Sequence, residues 1–458
     1  MDFQKALTFN DSNLCAWSPS GRFLAVISSQ NRLVLRDASN LEVLRTEVIS
    51  ASSNIQINTL QFSPDSQFLL ASDFANGLSF VYRTATDKDS LTWKAKIVEG
   101  LSGITDIRWA PDSRHVISLS EFSIKLTVWS LIQKVVRYIK FPKKKECIAF
   151  SPNGSYLGVV ERRENKDCLS LFACSKDWGV AKHFELFPDM DTNGLIWNAK
   201  SSLMAVYSSK LQCITCVYAL DGRCLFIFKP NEIGISLSSV AWSHCGNILA
   251  IATSSSVSIM NCLTWSLVSE LKIPVSLSDK DGDSIHLFVE MDKPLRTEDV
   301  DVRVARELCR NPLDTEYVGV KQRPVELLPA KKSAYKKVPT VELEFSTDNK
   351  YLLAKSNLTH VVWIWEVQSL KLSSILVHQK SLAQTLWSPR GEKLTSLLIL
   401  TTDGMMHLWT SHGAICLSLP PLDQDYGKIK GIEWNPLGRA LALTCQDGIV
   451  CCRVGSRK

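Results

Sequence analysis

No run of apolar residues in this sequence reaches the roughly 18 that a membrane-spanning helix needs. The opening residues, Met1-Asp2-Phe3-Gln4-Lys5, lack the basic segment and apolar run of a secretory signal. Histidine is scarce, with eight scattered copies in 458 residues. There is no Gly-rich phosphate loop, no His/Cys/Asp cluster at ligand spacing and no nucleophile elbow. Catalysis, a metal and a cofactor therefore have no support in the sequence, and His407, inside a strand pattern, reads as a satisfied core residue. Charge is also modest. The 52 Lys and Arg against 46 Asp and Glu leave +6, too mild and diffuse to point to nucleic acid.

Cysteine is not scarce, but its 14 copies fall mostly inside strand patterns, as at Cys15, Cys147, Cys168, Cys174, Cys445, Cys451 and Cys452. There a reduced Cys behaves as a small apolar residue. Cys213 and Cys216 have the spacing of half a zinc knuckle but no partner pair. On a strand from Leu211 to Tyr218, residues three apart would face opposite sides, which does not suit shared ligation.

What the sequence does have is a repeat. Cys15-Ala16-Trp17 alternates into the turn Ser18-Pro19-Ser20-Gly21, and the apolar run Phe23-Leu24-Ala25-Val26 leaves it. Pro fixes φ at the second turn position and Gly tolerates a left-handed backbone at the last. The same grammar recurs at Phe62-Ser63-Pro64-Asp65, Trp109-Ala110-Pro111-Asp112, Phe150-Ser151-Pro152-Asn153-Gly154, Trp387-Ser388-Pro389-Arg390-Gly391 and Trp434-Asn435-Pro436-Leu437-Gly438. Weaker copies stand at Trp197, Trp242 and Phe345. The anchor aromatics are spaced 45, 47, 41, 47, 45, 103, 42 and 47 residues apart. A third strand follows each pair, as at Leu126-Thr127-Val128-Trp129 or Met406-His407-Leu408-Trp409, and then a less apolar fourth. Four strands in about 40–45 residues is the period of a WD40 propeller blade.

The expected fold is therefore all-β: one WD40-like propeller spanning residues 1–458, with about nine four-stranded blades. The ninth repeat stops soon after its third strand, while about a dozen residues precede the first. Asp2–Phe9 is thus expected to supply the outer strand of the last blade, which removes exposed sheet edges. The Trp-Asp ending is degraded to Arg36-Asp37, Trp129-Ser130, Trp365-Glu366 and Trp409-Thr410, and no Gly-His pair precedes a first strand. The Asp–His–Ser/Thr–Trp network of regular blades should be mostly missing, leaving the blades to apolar packing. The 103-residue step holds an insertion, roughly 274–339, acidic in its first half and basic in its tail. It is expected to be a partly disordered loop, with a degenerate extra blade as the alternative.

The candidate site is a set of loops in the third and fourth repeats. Tyr138-Ile139-Lys140-Phe141-Pro142-Lys143-Lys144-Lys145 runs from one blade into the next, and Glu161-Arg162-Arg163-Glu164-Asn165-Lys166 joins two strands of the second. These loop types emerge on one face of a propeller, where Ser120-Glu121-Phe122-Ser123 should join them. Five cations and Phe122 would form a patch suited to an acidic helix or tail. Phe122, Lys143, Lys144, Lys145, Glu161, Arg162, Arg163 and Lys166 are the candidate partner-binding residues. Reversing Arg162 and Arg163 is expected to weaken binding at almost no cost in stability.

Glu161-Arg162-Arg163, with Lys166-Asp167, Ser170, Phe172, Cys174-Ser175 and Asp177-Trp178, closely resembles a stretch of the WD repeat-containing protein 8 family. So do Tyr138-Ile139-Lys140, Glu121-Phe122, Thr127-Val128-Trp129-Ser130-Leu131, Arg32-Leu33-Val34 with Arg36-Asp37, Ser239-Val240-Ala241-Trp242-Ser243 and Thr264-Trp265. The resemblance implies a non-enzymatic scaffold in the cytoplasm, at centrosomes, centriolar satellites or spindle poles. It would dock a coiled-coil anchoring protein of the synovial sarcoma X breakpoint-interacting type, in some organisms with a minus-end-directed kinesin. Together they would anchor microtubule minus ends and serve spindle organisation and cilium assembly. Similarity fades across the insertion, so no family role extends into it. Other classes remain open from the residues alone. One is a nucleic-acid- or ribosome-associated propeller using the same basic loops. The other is a phosphopeptide or ubiquitin-pathway adaptor using the mouth of the central channel.

Overall fold

The Ser-Pro turn sets the geometry of each repeat. Ser18 accepts the Phe23 amide on its hydroxyl at 2.9 Å while its own amide bonds the Phe23 carbonyl at 2.9 Å. Ser63 does the same with Phe68, Ser151 with Tyr156 and Ser346 with Tyr351. A hydroxyl at the first turn position thus locks the hairpin between the first two strands.

The last turn position is left-handed, and the residue there also links blades. Ser66, Ser113, Ser201 and Asn349 have φ of 62°, 58°, 58° and 61°. Each accepts the amide of the corresponding turn in the preceding blade: Ser20 to Ser66 at 3.0 Å, Asp65 to Ser113 at 3.0 Å, Asn153 to Ser201 at 2.9 Å and His244 to Asn349 at 2.6 Å. Where Gly154 stands instead, with φ 71°, a Cβ would sit 2.8 Å from Pro111 Cβ. Glycine is required there by both backbone and space.

The computed structural model describes residues 2–10, 12–28, 30–49, 55–84, 94–133, 135–175, 177–208, 212–230, 237–274, 276–277, 285–292, 315–319, 325–326, 341–356, 360–389, 395–417 and 427–455. The nine repeats form nine blade sheets; among the described residues eight of them have four strands and the seventh has two more, and the fold is the expected all-β propeller type. Among the described residues the helical elements are three short 3₁₀ turns. Among these residues no helix is long and apolar enough to cross a membrane. Two compact units divide the chain. One is Phe9–Leu237 with Asp447–Ile449, and carries the first five blades; the other is Met1–Thr8, Ser238–Gln446 and Val450–Lys458, and carries the last four.

Within each unit, neighbouring blades share apolar clusters. Ala25 and Ile27 of the first blade meet Phe62 and Leu69 of the second, and Ile117 and Val128 of the third meet Leu157 and Phe172 of the fourth. Leu171 meets Trp197 and Met204. In the other unit, Leu353 and Ile364 pack with Trp387 and the fully buried Trp409. Burial of this extent is the main stabilising term of the fold. A polar network stands beside the third blade: Trp129 Nε1 donates to Ser118 Oγ at 2.9 Å, Ser118 donates to Glu99 at 2.5 Å, and Lys125 pairs with Glu99 at 2.9 Å. Glu99 takes the polar role that a Gly-His pair does not fill here.

The strand Asp2–Asn10 pairs with Gly448–Gly455 and completes the ninth blade in the order expected. Most of 274–339, where a partly disordered loop is expected, lies outside the described residues. Two of its segments are strands: His286–Asp292 runs parallel to Lys371–Val377 on the outer edge of the seventh blade, and Thr315–Gly319 pairs with it antiparallel. The seventh blade thereby becomes six-stranded. Ser276–Leu277 pairs with Val325–Glu326. Of the cysteine pair, Cys216 lies on the strand Thr215–Ala219, whereas Cys213 precedes it with φ 48°; both are buried.

Candidate docking cleft

The third blade ends with Val136–Lys140, and Phe141 then turns with φ 61°. Phe141 is pinned there, because its carbonyl accepts the Arg162 amide at 3.2 Å and the Lys143 amide bonds the Val160 carbonyl at 2.9 Å. Pro142 forms a bridge to Glu161. The loop between the second and third strands of the third blade places Phe122 at φ 57° with 90% of its surface exposed. Ser120 ties the base of that loop, its hydroxyl accepting the Lys125 amide at 3.1 Å. Two Phe residues in left-handed backbone, one of them almost fully exposed and the other 54% exposed, are unusual on both conformational and solvation grounds.

Phe122, Ser123, Phe141, Pro142, Lys143, Lys144, Arg162, Asp191, Thr192 and Asn193 line one cleft of about 450 Å³. Phe122, Lys143, Lys144 and Arg162 thus share a face, as the loop reading expects. The electrostatics differ from the expected patch of five cations. Lys143 Nζ lies 2.7 Å from Asp167 and 2.6 Å from Asp191, while Arg162 donates to Asp167 from Nε and to Asp191 from Nη2, both at 2.8 Å. Two cations and two carboxylates cancel. The Asp167 side chain is only 1% exposed and that of Lys143 12%. Burial opposes ionisation of Asp167, but hydrogen bonds from Arg162 and Lys143 outweigh it and hold the carboxyl below its usual range.

The other candidates divide. Glu161 is buried and binds Arg163 at 2.5 Å, so it is a support and not a contact surface. Arg163 lies over the Phe141 ring, 5.7 Å from its centroid. Lys144 hydrogen-bonds Asn193. Lys145 and Lys166 do not line the cleft; the Lys145 carbonyl accepts from Arg108 and the Lys166 amine faces Glu185 at 3.4 Å. Reversing Arg162 therefore carries a stability cost that the sequence does not reveal.

Phe141, Asp167, Asp191 and Asn193 are the site residues that the sequence reading passed over. Phe141-Pro142 flanked by lysines was a usable signal, since an aromatic at the end of a rim strand has no core to enter. Nearby Cys147 is not a nucleophile, because burial pushes its thiol up to about 12 and keeps it protonated. The cleft offers two aromatic surfaces, a net-neutral polar wall and the Lys144 ammonium. That set suits recognition by apolar anchors with hydrogen-bonding edges, as when an amphipathic helix lies in a groove.

Solved structures show the same fold. The chain aligns to the crystal structure of a eukaryotic initiation factor with a TM-score of 0.58 and 12% identity, covering 89% of this chain and 87% of that one. It aligns to the C-terminal WD40 domain of Sif2 with a TM-score of 0.50 and 10% identity, over 99% of each chain. Those likenesses define a WD40-type propeller. No family model matches the sequence. Among curated proteins, the chain is 30% identical to mouse WD repeat-containing protein WRAP73 over 447 residues, covering 96% of this chain and 93% of the relative. It is 23% identical to an uncharacterized WD repeat-containing protein of Schizosaccharomyces pombe, covering 85% of this chain and 77% of that one. The chain belongs to the WRAP73 family of WD-repeat proteins, a family of propeller scaffolds for protein interaction.

Proposed function

We propose that this protein is a non-enzymatic scaffold of the centrosome or spindle pole that docks a coiled-coil anchoring partner in the Phe122–Phe141 cleft. The partner is of the synovial sarcoma X breakpoint-interacting type, and the pair anchors microtubule minus ends, in some organisms beside a minus-end-directed kinesin. The observation that carries the docking site is the exposure of Phe122 in left-handed backbone beside Phe141, across a cleft whose charged wall is already neutralised. Left-handed Phe costs on the order of 1–3 kcal/mol, a strain kept where a site uses it. Family membership supports the setting. The neutral wall favours a helical partner over a nucleic acid, which needs uncompensated cations.

The test is co-precipitation of the coiled-coil partner by full-length protein carrying Phe122→Gly and Phe141→Ser, with spindle-pole localisation followed in the same cells. Loss of both with an unchanged melting temperature is the expected result. Retention of partner and localisation would refute the site. Binding that falls steeply with salt would favour the nucleic-acid reading.

A further inference from the structure

The strand His286–Asp292 carries Glu290 to the outer edge of the seventh blade. His378 directly follows the fourth strand of that blade, Lys371–Val377, and His407 lies on the third strand of the eighth blade, Met406–Thr410. Three segments far apart in sequence thus deliver three donor side chains to one place. Glu290 Oε2 is 3.8 Å from His378 Nδ1 and 3.9 Å from His407 Nε2. One donor atom from each residue can be chosen so that all three lie within 4.8 Å of one another. The side chains are 0–1% exposed.

We propose that Glu290, His378 and His407 form a binding site for a zinc-class divalent cation that clasps the insertion strands to the seventh and eighth blades. Two imidazole nitrogens and one carboxylate oxygen are a borderline-soft set that fits Zn²⁺ or Co²⁺ and does not fit Ca²⁺ or Mg²⁺, which take oxygen donors. A tetrahedral ion with bonds of about 2.0–2.2 Å has donor-to-donor edges of roughly 3.4 Å. The two measured separations need close by only about half an ångström to reach that.

The surroundings hold the ligands in place. Cys416 Sγ stands 3.4 Å from His407 Nδ1, the ring nitrogen opposite the one that faces Glu290. The Gln379 amide donates to Glu290 Oε2 at 3.0 Å. Such outer contacts fix ring and carboxylate orientation. The Tyr317 hydroxyl, 3.1 Å from His378 Nδ1, offers a further donor for a fourth position. The ligands' burial makes the site structural in kind: it closes over the ion and ties Glu290 of the insertion to two blades.

The experiment uses the full chain stripped with chelator and titrated with Co²⁺, then with Zn²⁺. One equivalent of Co²⁺ should bind with the visible absorption of a tetrahedral ion, and Zn²⁺ should displace it and raise the melting temperature. Glu290→Gln should weaken binding at least tenfold. X-ray absorption of the loaded wild type should show a nitrogen and oxygen shell with imidazole scattering. This readout does not depend on whether the variant folds. No stoichiometric binding to the folded wild type, a sulfur shell, or Glu290→Gln binding as tightly as wild type would each overturn the proposal.

Discussion

Arg162 donates from Nε to Oδ1 of Asp167 at 2.8 Å, while Lys143 holds the other oxygen of the same carboxylate at 2.7 Å. Asp167 Oδ2 also accepts the Thr192 amide at 2.8 Å, which brings the start of the fifth blade into the arrangement. The Arg162–Asp167 pair is therefore a joint between the fourth and fifth blades that also forms one wall of the cleft.

Lys143→Ala should destabilise the protein by about 2 kcal/mol. That is less than the 3–5 kcal/mol typical of breaking a buried pair, because Arg162 still faces the carboxylate. Arg162→Glu should cost more, since it sets a second carboxylate beside Asp167 and Asp191. Denaturant midpoints of the two variants check both values and their order.

Acid should weaken this joint. Hydrogen bonds from Arg162 and Lys143, outweighing burial, hold Asp167 below its usual range, and the Lys143 hydrogen bond leads in doing the same for Asp191. A carboxyl with a depressed folded-state value contributes stability that is complete above its unfolded value, about 3.9, and is lost as pH falls through the folded value. Unfolding free energy should therefore decline below about pH 4, and Asp167→Asn should flatten that decline relative to wild type.

Glycines 154 and 100 share a φ of 71° but differ in their space. Gly154→Ala meets Pro111 Cβ at 2.8 Å, whereas Gly100→Ala has nothing within 4 Å. The first should cost about 2–4 kcal/mol and the second about 1 kcal/mol, the backbone contribution alone. Thermal melts of the two single variants separate the contributions.

Phe122→Gly removes an exposed ring and relieves left-handed strain in one step. Its unfolding free energy should equal wild type or exceed it by up to about 1 kcal/mol, even as partner binding is lost. Paired denaturation and binding curves test this opposition, which a purely structural Phe122 would not show.

The blades are legible because an aromatic anchor and its turn recur at a near-constant step, clearly in six repeats and weakly at Trp197, Trp242 and Phe345, and the outer strand Asp2–Asn10 because the ninth repeat lacks one. The link between blades made by the last turn residue is not legible in the sequence. Nothing in the repeat pattern marks Ser66, Ser113 and Ser201, whose hydroxyls bond a turn one blade away. The cleft's cations could be read and their neutralisation could not, since Asp167 and Asp191 reach Lys143 from 24 and 48 residues downstream. Glu290 was hidden more deeply. Its segment pairs parallel to a strand more than 80 residues later, across an insertion with no repeat pattern to set the register.

The most direct test places a photo-crosslinking benzoylphenylalanine at position 122 of the full-length protein and, as control, at Val180. That residue is exposed on the outer strand Gly179–Glu185 of the fourth blade and lies outside the cleft. Docking in the Phe122–Phe141 cleft predicts a crosslink from position 122 to the coiled-coil segment of the anchoring partner, and none from position 180. Equal crosslinking from both positions, or none from position 122 while the complex still forms, would contradict it.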